Sequence, residues 1–324
     1  MSKTSVLTDD EIGILLTAAV HAPSMHNTQP WRFEVHGPVV DVLLDRKRLL
    51  PSEDPAGRAN RIGIGAAVLN LRVAAAMLGR ESRIVPDPDP NCPEVMARVF
   101  VADRRTPVPG LGSLYGELRA RRTYRGPLLD QPIPPRVTGR LDEAAQAERA
   151  TLRWLDADAT SRLGELLRRV DEHDLHDEDR LHERLRWIGG DRSGDGIQES
   201  ALGPLPTGPA FVRDLSAGSD SSHRSQAVFE DSPAIAVLCT PQEDAAAWLR
   251  AGMALERALL VATSYDLAAS FLNQVLEHSP SRAAVRELVG GRCWPQMVIR
   301  LGYPAQPAHG TARRDWRDSF DRWF

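Results

Sequence analysis

The stretch RIGIGAAVLNLRVAAAMLG, residues 61–79, is apolar on nearly every side when it is written as a helix. A second stretch, WLRAGMALERALLVATSYDLA at residues 248–268, has the same pattern when Gly65 is aligned with Gly252. The alignment places Ala67, Val68 and Ala75 on Ala254, Leu255 and Ala262. A helix that is apolar all round is buried in a core or an interface. The two stretches therefore predict buried helices in equivalent positions of a repeated unit.

Each predicted buried helix lies between two alternating apolar runs. VVDVLLDR (39–46) precedes the first helix and EVMARVFV (94–101) follows it, whereas PAIAVLCT (233–240) and PQMVIRLG (295–302) flank the second. Alternation and a high content of β-branched residues are typical of strands. Each half is therefore predicted to be an α+β unit.

A further pair of helices strengthens the repeat. Residues 8–22 begin with Thr8 and Glu11, the spacing of a capping box, and residues 134–148 open with prolines suited to a first helical turn. Leu15 and Ala18-Ala19 in the first helix correspond to Leu141 and Ala144-Ala145 in the second, an offset of 126. Apolar helices also resemble one another by chance, so duplication and coincidence both stay open at this point.

A Pro/Gly-rich segment, TPVPGLGS at residues 106–113, separates the halves. We therefore expect a first half over residues 1–105, a linker over 106–120 and a second half over 121–324.

Composition excludes several classes of protein. With 42% hydrophobic and 26% charged residues the chain is globular, and it contains no apolar run of roughly 18 residues for a membrane span. No leader is evident, so a cytoplasmic protein is expected. The net charge of −4 has no basic block behind it, which argues against nucleic-acid binding. Cys92, Cys239 and Cys293 form no CxxC pair and are expected to be buried thiols.

The positive charge is almost entirely arginine. Only Lys3 and Lys47 are lysines, so lysine chemistry has few candidates, whereas bidentate binding of phosphate has many.

The motif APSMHNTQPWRF, residues 22–33, is a dense group of amides and hydroxyls on a loop between two prolines. It could be a plain helix-to-strand connection with a packed tryptophan, or a surface that hydrogen-bonds a planar heterocycle. Its His26 could donate a proton to a substrate or make a structural hydrogen bond.

Two arginine motifs follow. RRTYRGPLLDQPIPP, residues 121–135, places three arginines and a threonine within five residues, which suits an anion or a solvated basic turn. Arg313 and Arg314 come after GYPAQPAHGTA near the C-terminus.

Together, PSMHNTQPWRF, RRTYR and LGYP followed by RR resemble the flavin-dependent nitroreductase family. The sequence is most similar to the Acg-like branch, in which the two halves of a usual homodimer are fused in one chain. LNQVLE (272–277) and WIGGDRSGDGIQ (187–198) also resemble that branch, and the likeness covers most of residues 8–315. The resemblance implies an α+β nitroreductase-like fold with two pseudo-symmetric halves.

The resemblance also implies a site for FMN between the halves. Arg121 and Arg314, with Arg313 beside them, would hold its phosphate, Arg122 and Thr123 would follow the ribityl chain, and Arg125 would face the pyrimidine edge. The remaining residues expected to bind FMN are Pro23, Ser24, Met25, Asn27 and Gln29 from the first half, and Leu272, Asn273 and Gln274 from the second.

One FMN per chain is expected. At an offset of 126, a first-half equivalent of Arg121 falls ahead of Met1, and the second half has AQAERATLRW where PSMHNTQPW would be needed. The fused halves should also allow a monomer.

The implied activity is NAD(P)H-dependent reduction of a small-molecule acceptor, such as a quinone or nitroarene, by a ping-pong flavin mechanism. The alternative is an FMN-sequestering protein with a closed lid and little turnover. A flavin-independent interaction protein would require the motifs to be coincidental.

Residues 189–225, rich in Gly, Ser and Pro, could form that lid or be disordered surface. Ile197, Leu202, Leu205 and Phe211 give the segment something to bury and favour a lid over the FMN.

Two other patterns have less specific interpretations. His173, His176 and His182 lie in a strongly charged stretch that predicts a solvated helix rather than a metal site. Gly63 and Gly65 lack the third glycine of a dinucleotide fingerprint, which favours close helix packing.

Overall fold

The computed structural model describes residues 6–102, 110–190, 192–216 and 224–322. Its helices and strands fall into two groups, each with one main sheet. The first group comprises α1 (Asp9–Val20), β1 (Trp31–His36), β2 (Val39–Leu44), α2 (Arg58–Met77), β3 (Ser82–Pro86) and β4 (Val95–Val101). The second comprises α3 (Pro135–Ala147), β5 (Thr151–Trp154), α4 (Ala157–Asp174), α5 (Glu178–Leu185), β6 (Leu205–Pro206), β7 (Gln226–Ala227), β8 (Ala234–Thr240), α6 (Ala245–Ser264), β9 (Ala268–Phe271), α7 (Ser279–Leu288) and β10 (Trp294–Gly302). A last strand, β11, spans Phe320–Arg322.

The two main sheets repeat one arrangement. The strand order is β11-β1-β2-β4-β3 in the first sheet and β5-β8-β10-β9 in the second. In each, the central antiparallel pair is formed by the strands before and after the long buried helix: β2 with β4 around α2, and β8 with β10 around α6. The four helices and the four strand runs predicted for the repeat are therefore confirmed, and the fold is α+β.

The sequence signals predicted for the starts of α1 and α3 are also confirmed. The Thr8 side chain accepts from the Glu11 amide, and the Glu11 carboxylate accepts from the Thr8 amide, so the capping box is complete. Helix α3 begins at Pro135 in the first helical turn, where a missing amide hydrogen costs nothing.

The long helices α2 and α6 cross at their glycines. A methyl group on Gly65 would overlap the carbonyl oxygen of Leu249 and lie 3.0 Å from Gly252 Cα, while one on Gly252 would overlap the carbonyl oxygen of Ile62. The prediction of close helix packing is thus confirmed for Gly65.

Two contacts depart from the predicted division of the chain. The C-terminal strand β11 pairs in parallel with β1, so the end of the chain completes the sheet of the first half. Leu111 and Leu118, within the predicted linker, are buried in the same core as α1 and α2. Residues 103–109 lie outside the described residues. The domain boundaries themselves stay a prediction.

The charged stretch around His173 is not one solvated helix, which corrects the prediction. It forms α4 and α5 with a break at residues 175–177, and Asp174, Arg180, Glu183 and Arg184 are buried. Carboxylates and guanidiniums can be buried together when they pair. His173 packs its ring edge-on against His278.

Two smaller findings bear on the class of protein. Among the described helices, none combines the length and hydropathy that crossing a bilayer requires. Cys239 and Cys293 are buried as predicted, whereas Cys92 is half-buried.

Candidate functional site

A cavity of about 290 Å³ lies between the two halves. Its wall combines the loop after α1, the start of α2, the RRTYR segment, the region from β9 to α7, and residues of the predicted lid. The described side chains that line it and matter below are Pro23, Ser24, Met25, His26, Glu53, Asp54, Arg58, Thr123, Arg125, Ile197, Val212, Arg213, Leu215, Asn273 and Glu277. Such a concave, mixed surface at the junction of two units is typical of a ligand site.

The loop after α1, residues 21–30, has an unusual backbone. It makes a short 3₁₀ turn over Met25–Asn27, and His26, Asn27 and Gln29 have φ angles of 49°, 55° and 51°. Left-handed backbone is uncommon outside glycine, and Asn and His are among the residues that tolerate it best. The Ser24 hydroxyl accepts from the Gln29 amide at 2.9 Å, which closes the loop on itself. The sequence PSMHNTQPW is thus held in one defined shape.

Not every residue of this loop faces the cavity. Pro23, Ser24 and Met25 line it as expected, but Asn27 and Gln29 do not. The Asn27 side chain donates to the carbonyls of Gly196 at 2.9 Å and Ala312 at 2.8 Å. The Gln29 side chain donates to the carbonyl of Gly194 at 2.8 Å, and its oxygen accepts from the Arg314 amide. Asn27 and Gln29 therefore tie the loop to the lid segment and to the C-terminal segment.

The arginines of RRTYR form a basic cluster with Arg313, in which Arg121 is buried, Arg125 and Arg313 are half-buried and Arg122 is exposed. Arg121 is 3% exposed, donates to the His21 carbonyl at 3.1 Å and approaches Glu256 at 3.5 Å. Burial and the charge of Arg121 lower the pKa of Arg313 to about 9. Partial burial and the charge of Arg121 also lower the pKa of Arg122. Among the ion pairs of the described residues, Glu256 is the one carboxylate that pairs with an arginine of this cluster. Positive charge is therefore in excess.

Arg314 lies apart from that cluster. Its guanidinium donates to the Asp318 carbonyl at 2.7 Å, and its charged neighbours are Arg48, Asp45, Asp318 and Asp195. The structure thus brings Arg121 together with Arg313, whereas the sequence resemblance named Arg121 and Arg314 as the main pair.

Arg125 and Thr123 lie on the cavity wall. Arg125 donates to the Ala201 carbonyl at 3.0 Å, and burial lowers its pKa to about 10. Thr123 extends the second sheet through a bridge to Ala269 in β9. The close fit continues at Gly203, where a methyl group would overlap the Arg125 carbonyl oxygen. The RRTYR segment is therefore covered by residues of the predicted lid.

The segment after β9 contributes one of its three expected residues to the cavity. Asn273 lines it, and its side-chain oxygen accepts from the Val298 amide at 2.9 Å. Leu272 is fully buried in the core of the second half, and the Gln274 side chain donates to Asp171 at 3.3 Å. Leu272 and Gln274 thus support the wall from behind.

The predicted lid has its own small core. Ile197, Leu202 and Leu215 pack with Ile188 and Ala201. Ile197 and Leu215 also line the cavity together with Val212 and Arg213.

Two of the expected lid residues lie elsewhere. Phe211 packs instead against Gly164 of α4, and Leu205 lies in the short strand β6. Residues 191 and 217–223 of the predicted lid lie outside the described residues.

A buried ionic network next to the cavity is the feature that sequence reasoning missed. The Glu53 carboxylate contacts His26 Nε2 and accepts from Arg184 at 2.7 Å, and Arg184 continues to Asp174 at 3.1 Å. Arg213 of the lid segment joins the network through Glu277 at 2.7 Å. The partners are far apart in sequence, 131 residues for Glu53 and Arg184. No local pattern could therefore have revealed the pairing, although the buried charges of α4 and α5 were visible as a charge run.

Comparison with known proteins finds similarity to nitroreductases. The Nitroreductase family model matches residues 118–303. In Mycobacterium tuberculosis strain H37Rv, the provisionally named NAD(P)H nitroreductase Acg is 28% identical over 315 residues, 96% of this chain and 95% of that protein. A second provisionally named NAD(P)H nitroreductase of that strain, Rv3131, is 31% identical over 311 residues, 94% and 90% of the two chains.

A solved structure is also similar to the chain. The crystal structure of a nitroreductase with bound FMN from Bacteroides fragilis aligns with a TM-score of 0.40 and 19% identity, covering 61% of this chain and 91% of that one.

Proposed function

The chain belongs to the nitroreductase family and is an oxidoreductase by class, and on that premise we propose that it binds FMN between its halves and reduces a small-molecule acceptor with electrons from NAD(P)H. The observation that carries the proposal is the excess of guanidinium charge beside the cavity, with Arg121 buried and Arg125 and Arg313 half-buried. Four arginines, Arg121, Arg122, Arg125 and Arg313, influence one another there, with Glu256 as the carboxylate among them. Buried charge without a partner is costly, so this cluster calls for an anion.

The side chains present fit a flavin phosphate. The Nε atoms of Arg121 and Arg313 are buried and have no hydrogen-bond acceptor among the described residues. Phosphate oxygens accept such bonds, often two per guanidinium. Arg121 and Arg313 would hold the phosphate, Arg122 and Thr123 would lie along the ribityl chain, and Pro23, Ser24, Met25 and Asn273 would face the ring system.

We propose one FMN per chain. The connection between α1 and β1 spans residues 21–30, but the equivalent connection between α3 and β5 has only residues 148–150. In place of a second binding loop, Glu148 accepts from Arg72 at 2.7 Å and from Arg257 at 2.9 Å. These ion pairs support the proposal that the second position does not bind FMN. Because both halves of the interface are in one chain, we also propose that the protein is a monomer. A molar mass near 35.7 kDa from light scattering would support this proposal.

When bound, the flavin would supply ping-pong hydride exchange, first with a nicotinamide and then with an oxidised acceptor such as a quinone or nitroarene. Arg125 would place a cation at the pyrimidine edge, where negative charge develops on reduction. The loop of residues 21–30 and the lid segment would exclude bulk water from the ring.

Sequestration of FMN is the second candidate function. The observation that favours it is the position of the lid segment: Ile197, Val212, Arg213 and Leu215 occupy part of the cavity wall, and Arg213 is held there by Glu277. A lid that stays closed would retain FMN and leave an acceptor little room.

The experiment is a titration of the purified protein with FMN, followed by anaerobic addition of NADH or NADPH and then of a quinone or nitroarene. Flavin bleaching followed by recovery of the yellow colour on acceptor addition supports the oxidoreductase. Tight binding without bleaching supports sequestration, and absence of FMN binding overturns both.

Arg313→Ala tests the phosphate assignment against a matched control. We expect it to weaken FMN binding at least about 10-fold, because a charged hydrogen bond is worth about 1.5–3 kcal/mol. Arg317→Ala removes an exposed arginine four residues away that pairs with Asp315, and it should leave FMN affinity unchanged.

A further inference from the structure

Among the described residues that line the cavity, the titratable side chains other than arginine are His26, Glu53, Asp54 and Glu277. Asp54 caps α2, with one oxygen accepting from the Ala59 amide and the other from the Asn60 amide. Glu277 is bound by Arg180 and Arg213. Glu53 gives one oxygen to Arg184 and the other to His26 Nε2. Among the described hydrogen bonds of the cavity wall, each oxygen of those carboxylates has a partner, whereas the described bond of His26 uses Nε2 and leaves Nδ1 without one.

Glu53 is placed to fix the orientation and the tautomer of this imidazole. The carboxylate is 2% exposed, and although burial alone would raise its pKa, His26, Arg213 and Arg184 hold the pKa well below its ordinary value. An acceptor that is always ionised keeps a proton on the nitrogen facing it. The same division of roles, a buried carboxylate that orients a histidine whose other nitrogen works on the substrate, operates in hydrolytic triads.

The loop that carries His26 is held rigidly in an uncommon conformation. His26 has a φ of 49°, and its neighbours are anchored by Asn27 to the Ala312 carbonyl and by Arg48 to the Thr28 carbonyl at 2.8 Å. Strained backbone persists where surrounding contacts over-determine it, and such positions cluster at functional sites. The strain here turns the His26 side chain toward the cavity and the Asn27 side chain toward the lid.

We propose that His26 donates the proton that the acceptor needs on reduction and that Glu53 is its positioning residue. The inference rests on the proposed function. A quinone becomes a neutral hydroquinone by gaining one hydride and one proton. The hydride is that of the proposed reaction, and His26 gives the proton from Nδ1 to the second oxygen of the quinone. The imidazolium thereby becomes neutral imidazole and regains a proton from solvent.

The competing interpretation is that the His26–Glu53 pair only fastens the loop. Two acceptors distinguish the two roles. A quinone takes up protons when it is reduced, whereas ferricyanide takes one electron and no proton. The protein is loaded with FMN, reduced, and mixed rapidly with each acceptor, and the rate of reoxidation is measured for the wild type and for His26→Asn. Asparagine tolerates the left-handed backbone of this position.

We expect His26→Asn to slow reoxidation by the quinone about 100-fold, the lower end of what a positioned acid contributes, and to leave the ferricyanide rate within about twofold. Glu53→Gln should slow the quinone reaction in the same selective way. Equal slowing with both acceptors, or no slowing with either, would overturn the inference while leaving the proposed function intact. A wild-type protein that neither acceptor reoxidises would overturn the proposed function and the inference with it.

His278→Asn is the matched control. His278 also pairs through Nε2 with a buried carboxylate, Asp174, at 2.8 Å, but it does not line the cavity. Its replacement should leave the ratio of quinone to ferricyanide rates at the wild-type value.

A spectroscopic readout is independent of turnover. The Nε2–H shared with buried Glu53 should give a downfield, slowly exchanging proton resonance in the NMR spectrum of the whole protein. The resonance should vanish in His26→Asn and in Glu53→Gln and persist in His278→Asn. Its persistence in Glu53→Gln would show that the carboxylate does not hold the ring, which would overturn the role of Glu53.

Discussion

Gly65 and Gly252, equivalent residues of the two halves, touch each other where α2 crosses α6. The contact is reciprocal: Gly65 meets the carbonyl oxygen of Leu249, three residues before Gly252, and Gly252 meets that of Ile62, three residues before Gly65. In a symmetric dimer, a residue touches its own counterpart only at the two-fold axis. The contact of equivalent glycines therefore favours duplication over chance resemblance of apolar helices.

Alanine at either crossing glycine should destabilise the protein. A methyl group there would overlap a backbone carbonyl that cannot rotate away, so Gly65→Ala or Gly252→Ala should cost about 1–3 kcal/mol or more. Gly139 in α3 has open space around its Cβ position, and Gly139→Ala should instead stabilise the protein by about 0.5–1 kcal/mol. Urea unfolding measures all three, and a neutral Gly252→Ala would contradict the crossing geometry.

FMN binding should saturate at one equivalent per chain. The connection between α3 and β5 is short, and Glu148 within it pairs with Arg72 and Arg257. Fluorescence quenching at concentrations well above the Kd gives the stoichiometry. Glu148→Gln, which leaves the two arginines without their carboxylate, should not change it. Saturation at two equivalents would show that the second position also binds flavin.

Arg125→Ala should weaken binding of the reduced cofactor more than of the oxidised form. The cation stabilises a negative charge that develops on reduction, so the midpoint potential of the bound flavin should fall by about 30–60 mV, which is about 1.4–2.8 kcal/mol for a two-electron couple. Arg125→Lys keeps the charge and should retain most of the potential. Spectroelectrochemistry gives the values, and an unchanged potential in Arg125→Ala would place Arg125 away from the pyrimidine edge.

Replacing residues 192–210 with a short Gly/Ser linker should open the cavity. The change removes Ile197 from the wall and the Gly196 carbonyl from Asn27, while Arg121, Arg125 and Arg313 remain. FMN should still bind but dissociate about 10-fold faster, as expected for the loss of interactions worth about 1.4 kcal/mol. Reduction of quinones or nitroarenes should rise or appear for the first time. If stopped-flow release and turnover both stay at the wild-type values, the segment is not a lid.

Glu53→Gln should lose stability in a pH-dependent way. The pKa of Glu53 is lowered in the folded protein by His26, Arg213 and Arg184, against the effect of burial, so its contribution is present above the ordinary Glu value and declines as the pH falls below about 4.5. Leaving Arg184 and Arg213 without this carboxylate should cost about 3–5 kcal/mol at pH 7. The difference from wild type in urea unfolding should shrink toward pH 3. A difference that is constant from pH 7 to pH 3 would mean that folding does not lower the pKa of this carboxyl.

The fold could be predicted from sequence where the signal is local. The period of the runs around residues 39–46 and 295–302 determined strands, and the small residues around Gly65 indicated a buried crossing. In the candidate site, the structure brings Ser24, Met25, Thr123, Arg125 and Asn273 together on the cavity wall. Their assignment to FMN stays a prediction.

The rest of the candidate site could not be predicted, because it depends on contacts between segments that are distant in sequence. Arg313 and Arg314 are adjacent and chemically identical, and only the course of the chain after β10 decides which guanidinium reaches Arg121. Similarly, Asn27 and Gln29 have side-chain amides of the kind that bind a heterocycle. In the structure, however, the Asn27 amide donates to the Gly196 carbonyl and the Gln29 amide donates to the Gly194 carbonyl. Glu53 gave no local signal, because its partner His26 lies 27 positions before it and its partner Arg184 lies 131 positions after it.

The pairing of β11 with β1 also has a consequence for the order of events during synthesis. The strand made among the last residues completes a sheet whose other strands are among the first, and Arg313 precedes it by only a few positions. The sheet of the first half is therefore incomplete, and Arg121 has no Arg313 beside it, until residues 313–322 have been synthesised. On the proposed function, a chain that stops shortly before residue 313 would bind FMN more weakly.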